Sequence, residues 1–324
     1  MNHHMQRSGI VQGGFVMALI SAVSFSTLGI FAKMLYADGF SVTSALAWRF
    51  VLASLLLWAV VYVRRQNRRR SALRSQGIAP ATEDKSVART RFFRVFLLGL
   101  LGFSPQAGLY FLTVKILDPG ITSLLLYLYP SFVFLISFFL KHQKPGRVQF
   151  FALLLSLVGC VLTFWQSGLY PLIGLVLGVV VAVAYAVYLV VGESILQQVD
   201  SLWATAVIMT AAALVYLSIS IGDGTFIVPT SLRQVFLLFG IAILATDLPI
   251  VTLFVAMQRI GARDTSIIST VEPVCTNILS AMLFGEVMTG RRILGGSLIL
   301  AGVIVLNLWG YSSQGRAAAA PEAH

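Results

Sequence analysis

The apolar positions of this chain neither alternate nor keep to one helical face. They gather into ten runs, roughly 14–36, 42–63, 92–115, 120–140, 147–165, 171–192, 201–221, 233–258, 264–284 and 291–310. Each is near the ~20 residues a helix needs to cross a bilayer. Barrel strands would be short and alternating, so the pattern predicts an all-α integral membrane protein with ten transmembrane helices. Prolines fall inside four of the runs, at Pro105, Pro130, Pro249 and Pro273. A proline in mid-helix removes a backbone donor and disfavours helical geometry at the residue before it. Four helix breaks are therefore expected.

The breaks are not scattered. Sliding the chain by 143 residues lays 109–162 on 252–305 without a gap, and pairs Pro130 with Pro273, Thr122-Ser123 with Thr265-Ser266 and Gly159 with Gly302. The same offset sets Ser104-Pro105 against Asp247-Leu248, with Pro249 one residue on. The chain thus reads as two repeats, 14–165 and 171–310, between an N-terminal tail (1–13) and a C-terminal tail (311–324). Five spans per repeat is odd, so the second repeat must be inverted. Matching interruptions in inverted repeats point to the binding site of a carrier.

Composition and charge then fix the setting. Of 324 residues, 58% are hydrophobic and 11% charged; mean hydropathy is +0.88. Net charge is +11, and a loop at 64–91 with its flank to Arg94 carries most of it. Between two spans such a run marks the cytoplasmic side rather than a nucleic-acid site. With the N-terminus inside, cytoplasmic segments hold seventeen Lys or Arg, against five on the outer side (Lys33, Lys115, Arg233, Arg291, Arg292). Both termini are expected to be cytoplasmic in a multi-pass cell-membrane protein, with Arg291-Arg292 an exception to the rule. Trp58, Trp165, Trp203 and Trp309 are expected in an interfacial belt.

Three further features complete a resemblance: Arg49 in Ala-Trp-Arg-Phe-Val-Leu-Ala, Glu272-Pro273 in the ninth span, and Phe284-Gly285-Glu286 followed by Gly295-Gly296 and Ala301-Gly302. With the proline-marked repeats, they make the chain resemble the EamA-type ten-helix carriers of the drug/metabolite transporter superfamily, over nearly all of 14–310. That resemblance implies helices one, three, four, six, eight and nine around a central cavity. The chain departs from the pattern where Lys141-His142-Gln143-Lys144 stands in place of a first-repeat counterpart of Gly285-Glu286.

Charged residues at bilayer depth are the candidates for chemistry. An intramembrane carboxylate is costly, and is a functional hypothesis by default. Asp247, just before Pro249, could bind an ammonium group or load a proton; the alternative is a bond to backbone freed by the proline. Glu272 could serve gating or coupling, or only helix geometry. Arg49 could meet Asp247 or Glu272 as a counter-charge. Lys33 is expected to snorkel to the interface, and Glu286 to satisfy backbone donors at the start of span ten. Ser104 and Gln106 flank Pro105, and Tyr129, Tyr185 and Tyr188, with Tyr127 and Phe132, could line a wall for a planar or amphipathic substrate.

All four histidines (His3, His4, His142, His324) lie in tails or loops, the two cysteines lie in spans, and no phosphate-binding Gly-rich motif occurs. No catalytic residue, metal or cofactor is assigned. The partners expected are the lipid bilayer and a small-molecule substrate, with proton coupling as one use of the acids. Nothing in the sequence sets an oligomeric state. The leading reading is efflux of a small metabolite such as an amino acid or derivative by alternating access. The others are export of drug-like or nucleoside compounds and a membrane-embedded enzyme, for which the sequence offers no nucleophile–base pair.

Overall fold

A computed structural model describes the backbone of residues 2–74, 85–141, 147–164, 170–196 and 199–318. The side chains of 2–11, 68–69, 71–74, 85, 137–141, 149, 163–164, 261–264, 266, 307 and 309–318 lie outside the description. The four histidines, Trp165 and Trp309 fall there, with the expectations attached to them.

Every element among the described residues is a helix. In chain order they are α1 (Asn2–Phe25), α2 (Leu28–Ala37), α3 (Val42–Arg74), α4 (Lys85–Leu97), α5 (Ser104–Ile116), α6 (Pro119–Leu126), α7 (Tyr129–Lys141) and α8 (Arg147–Phe164). The second half has α9 (Leu172–Leu196), α10 (Ser201–Gly222), α11 (Leu232–Ala242), α12 (Leu248–Ser269), α13 (Val271–Phe284) and α14 (Gly290–Ala318). Eight stretches are long and apolar enough to cross a membrane: Gln12–Ala37, Val42–Asn67, Ser86–Ile116, Pro119–Ile136, Leu172–Leu196, Ser201–Gly222, Leu232–Ile260 and Ile267–Phe284. The fifth apolar run forms a shorter apolar helix, Phe150–Leu162, and the tenth lies within α14.

Three boundaries differ from expectation. The basic 64–91 segment is largely helix: α3 runs on to Arg74 and α4 starts at Lys85. At 33 residues α3 is about 50 Å long, well beyond the hydrocarbon core. The turn expected at 259–263 is helical, because α12 continues to Ser269 and is interrupted only at Thr270. The first span breaks at Ser26–Thr27 with no proline at all. There the hydroxyls of Ser26 and Thr27 each donate, at 2.6 Å, to a carbonyl three residues back, which competes with helical bonding.

Packing repeats across the two halves. α1 lies along α12, and in the counterpart position α5 lies along α9; α3 packs on α10, α8 on α14 and α6 on α13. With no water to expel, such contacts rest on close van der Waals approach. Gly159 and Gly302, aligned by the repeat, make the α8–α14 approach possible. A Cβ on Gly159 would stand 2.6 Å from the Gly295 carbonyl, and one on Gly302 2.6 Å from that of Ala152. Gly159→Leu is expected to lower stability in detergent by about 1–3 kcal/mol. An unchanged thermal unfolding midpoint would show that these two helices do not need to meet.

Candidate functional site

The prolines of spans three and eight do not break their helices outright. Each follows a π-turn, Leu98–Phe103 before Pro105 and Ile243–Asp247 before Pro249. The wider turn accommodates the proline, and in both repeats a hydroxyl at the turn also donates to a carbonyl five residues back. Ser104 donates to the Gly99 carbonyl at 2.7 Å, and Thr246 to that of Ile241 at 2.8 Å. The Ser104 hydroxyl is thus engaged within its own turn, while Gln106 two residues on is 7% exposed.

Asp247 closes the second π-turn. Both its carboxylate oxygens are buried and have no hydrogen-bond partner. The alternative expected for it, a bond to backbone freed by the proline, is therefore not made. Arg49, 5% exposed, donates through Nε to Thr246 Oγ1 at 3.0 Å. Its guanidinium carbon lies 4.8 Å from the Phe50 ring centre and 5.2 Å from that of Phe111. Thr246 therefore ties Arg49 to the turn that carries Asp247. No ion pair joins the arginine to the acid, whose carboxylate oxygens have no hydrogen-bond partner.

The other two breaks meet. Span four is interrupted at Tyr127–Leu128 and span nine at Thr270. The Tyr127 hydroxyl lies 2.5 Å from the Ser269 carbonyl and 2.9 Å from Glu272 Oε2. Glu272 thus contacts the first repeat rather than Arg49. From Tyr127 a run of rings continues to Tyr129 (6.0 Å between centres), Tyr185 (4.8 Å) and Tyr188 (6.1 Å). Tyr188 reaches Phe103 at 5.7 Å, and Phe103 reaches Phe50, next to Arg49, at 5.7 Å. The tyrosines singled out in the sequence therefore form one wall between Glu272 and the Arg49–Asp247 region. Tyr127→Phe leaves the Ser269 carbonyl without its hydroxyl, and is expected to cost about 1–3 kcal/mol. A thermal midpoint equal to that of the parent in detergent would show that the contact carries no weight.

A second polar cluster escaped the sequence reading as a unit. Lys33 is paired rather than alone: its Nζ lies 2.9 Å from Asp118 Oδ1 and 3.3 Å from Glu286 Oε1, and 4.4 Å from the centre of the Phe284 ring. Glu286 Oε2 in turn receives Arg292 Nη2 at 2.8 Å, and Oε1 accepts from the Ser280 hydroxyl. Arg292 also donates from Nε to Asn277 Oδ1 at 2.9 Å, while Asn277 donates to the Gly120 carbonyl at 3.1 Å. A Cβ on Gly120 would stand 2.1 Å from Arg292 Nη2, so a side chain there would displace the guanidinium. The backbone donor at the start of α14 that Glu286 was expected to cap is met by Thr289, whose Oγ1 accepts from the Arg292 amide at 3.2 Å. Arg292 is therefore a buried, neutralised charge, while Arg291 beside it is exposed.

The Trp58 indole donates to Thr210 of α10 at 3.0 Å.

Comparisons with known proteins agree with this architecture. The chain is 25% identical to the uncharacterized transporter YcbK of Bacillus subtilis (strain 168), over 87% of this chain and 88% of that one. It is 28% identical to the uncharacterized inner membrane transporter YicL of Salmonella typhimurium, over 65% of this chain and 73% of that one. One solved crystal structure superposes with a TM-score of 0.63 at 17% identity, covering 91% of this chain and 96% of its own. The EamA-like transporter family model matches residues 12–165 and 172–308. This chain belongs to the EamA-like transporter family.

Proposed function

We propose that the protein is a secondary carrier that exports a small polar metabolite, such as an amino acid or derivative, across the cell membrane by alternating access. The observation that carries this reading is Asp247, whose carboxylate oxygens are both buried and unpartnered at a π-turn. A charge held that way is expensive. It is retained at low cost only if a proton or a substrate ammonium group occupies it for part of the cycle. Arg49, fixed by Thr246, supplies the counter-charge. Glu272, held by Tyr127 where the broken spans of the two repeats meet, serves gating or coupling. The two repeats, 14–165 and 171–310, rock about these interruptions, with both termini on the cytoplasmic side.

The run of rings from Tyr127 to Tyr188 favours one variant of this reading, in which the cargo is a planar drug-like or nucleoside compound that lies against the tyrosines. The test is a counterflow screen in proteoliposomes over amino acids, nucleosides and cationic drugs, with and without a pH gradient. Saturable, gradient-sensitive flux of one class is expected. A product formed in detergent with no compartment present, and no flux of any class, would replace the carrier with an enzyme.

A further inference from the structure

We infer that Lys33 is the moving contact of a gate that closes the substrate pathway on the face opposite the termini. The inference rests on the carrier reading above. By the order of the spans, Lys33 near the end of α2, Asp118 before α6, Glu286 after α13 and Arg292 in α14 all lie on that face. Two belong to each repeat. The pairs within a repeat are the short ones, Lys33–Asp118 at 2.9 Å and Glu286–Arg292 at 2.8 Å. The ionic contact that crosses between repeats, Lys33–Glu286, is longer at 3.3 Å.

This arrangement has a mechanical consequence. When the two repeats part at this face, the side-chain contacts of the cluster that open are Lys33 with Glu286, Lys33 with the Phe284 ring, and Asn277 with the Gly120 carbonyl. Each half keeps a neutral ion pair of its own. No charge is stranded in a dry interior, which would make opening prohibitive. Burial follows the same logic. The Glu286 and Arg292 side chains are 2% and 1% exposed, whereas Lys33 and Asp118 are 31% and 28% exposed. The pair that stays together is the desolvated one, and the lysine that has to let go already meets solvent.

The repeat supplies an independent argument. Shifted by 143 residues, Asp118, Asn277, Glu286 and Arg292 correspond to Gly261, Phe134, Gln143 and Gln149, and Lys33 corresponds to Glu193 when Gly14 is set on Gly174. The related positions on the opposite face hold one charge where this face holds four, so they cannot build the same lock. The four-charge cluster is thus not repeated at the positions the repeat relates to it.

The test reads access rather than transport. A thiol is placed at the tyrosine wall by Tyr185→Cys, in a background carrying Cys160→Ala and Cys275→Ala. Its reaction with a membrane-impermeant methanethiosulfonate is timed with reagent on each face in turn. Lys33→Gln is expected to raise the rate from the face opposite the termini roughly threefold to tenfold, as suits a part-exposed ion pair. Lys33→Glu, which sets a third acid against Asp118 and Glu286, should raise it further. The rate from the terminal face should not rise with it. A merely structural lysine would lower the thermal midpoint and leave the ratio of the two rates unchanged, and that result in folded Lys33→Gln overturns the gate. A thiol that reacts from neither face in the parent or in either Lys33 variant removes the carrier reading itself, and the gate with it.

Discussion

In proteoliposomes, Asp247→Asn is expected to abolish substrate accumulation driven by a pH gradient. The substitution keeps the shape of the side chain and removes only its charge and its ability to exchange a proton. In this conformation the carboxylate has no partner to lose, and Thr246 continues to hold Arg49 and the π-turn. The fold should therefore survive with a similar thermal midpoint. Function should not, because a buried acid with both oxygens free is the strongest available site for a cation or proton. Losing a charge-assisted contact weakens cargo binding by about 1.5–3 kcal/mol, roughly 10- to 150-fold, and losing a proton site uncouples flux from the gradient altogether. Gradient-driven flux at the parent rate in Asp247→Asn would remove this residue from the mechanism. Flux that persists by exchange but ignores the gradient would assign it to coupling rather than to cargo.

The sequence made this residue legible for a local reason. A carboxylate two residues before a proline in an apolar run is rare enough to notice, and the repeat marked the same place in the third span. The form of the distortion was not legible. Pro105 and Pro249 announced an interruption, but a proline alone does not say whether the chain breaks or widens into a π-turn, and serine and threonine are too common in spans to single out Ser104 and Thr246. The break at Ser26–Thr27 was hidden for the same reason, since hydroxyls rather than a proline make it.

Contacts across the repeats were the least visible. Lys33 and Glu286 are 253 residues apart, and each has an ordinary local explanation, as a snorkelling lysine and a helix cap. Asp118 drew no notice in a short loop. Only Arg292 left a trace, as a cation on the wrong side of the charge count. That anomaly was the one sequence signal of the ionic cluster, because a buried and paired arginine does not obey a rule that concerns free charge.

Arg292→Ala is accordingly expected to cause a larger loss of stability than removal of Lys33. The guanidinium is 1% exposed and donates to Glu286, Asn277 and the Val287 carbonyl. Its removal strands the Glu286 carboxylate, 2% exposed, with Ser280 and the more distant Lys33 as its remaining partners. Breaking a buried pair in this way costs about 3–5 kcal/mol. Replacing both members with apolar residues, Glu286→Leu with Arg292→Leu, should recover most of that loss, since no charge is left behind. Lys33→Ala, which removes a part-exposed partner, should cost no more than about 1 kcal/mol. Reversible unfolding in mixed detergent micelles ranks the three. An Arg292→Ala variant no less stable than Lys33→Ala would mean that water reaches the pair. The Glu286–Arg292 contact could not then be the fixed half against which Lys33 opens and closes.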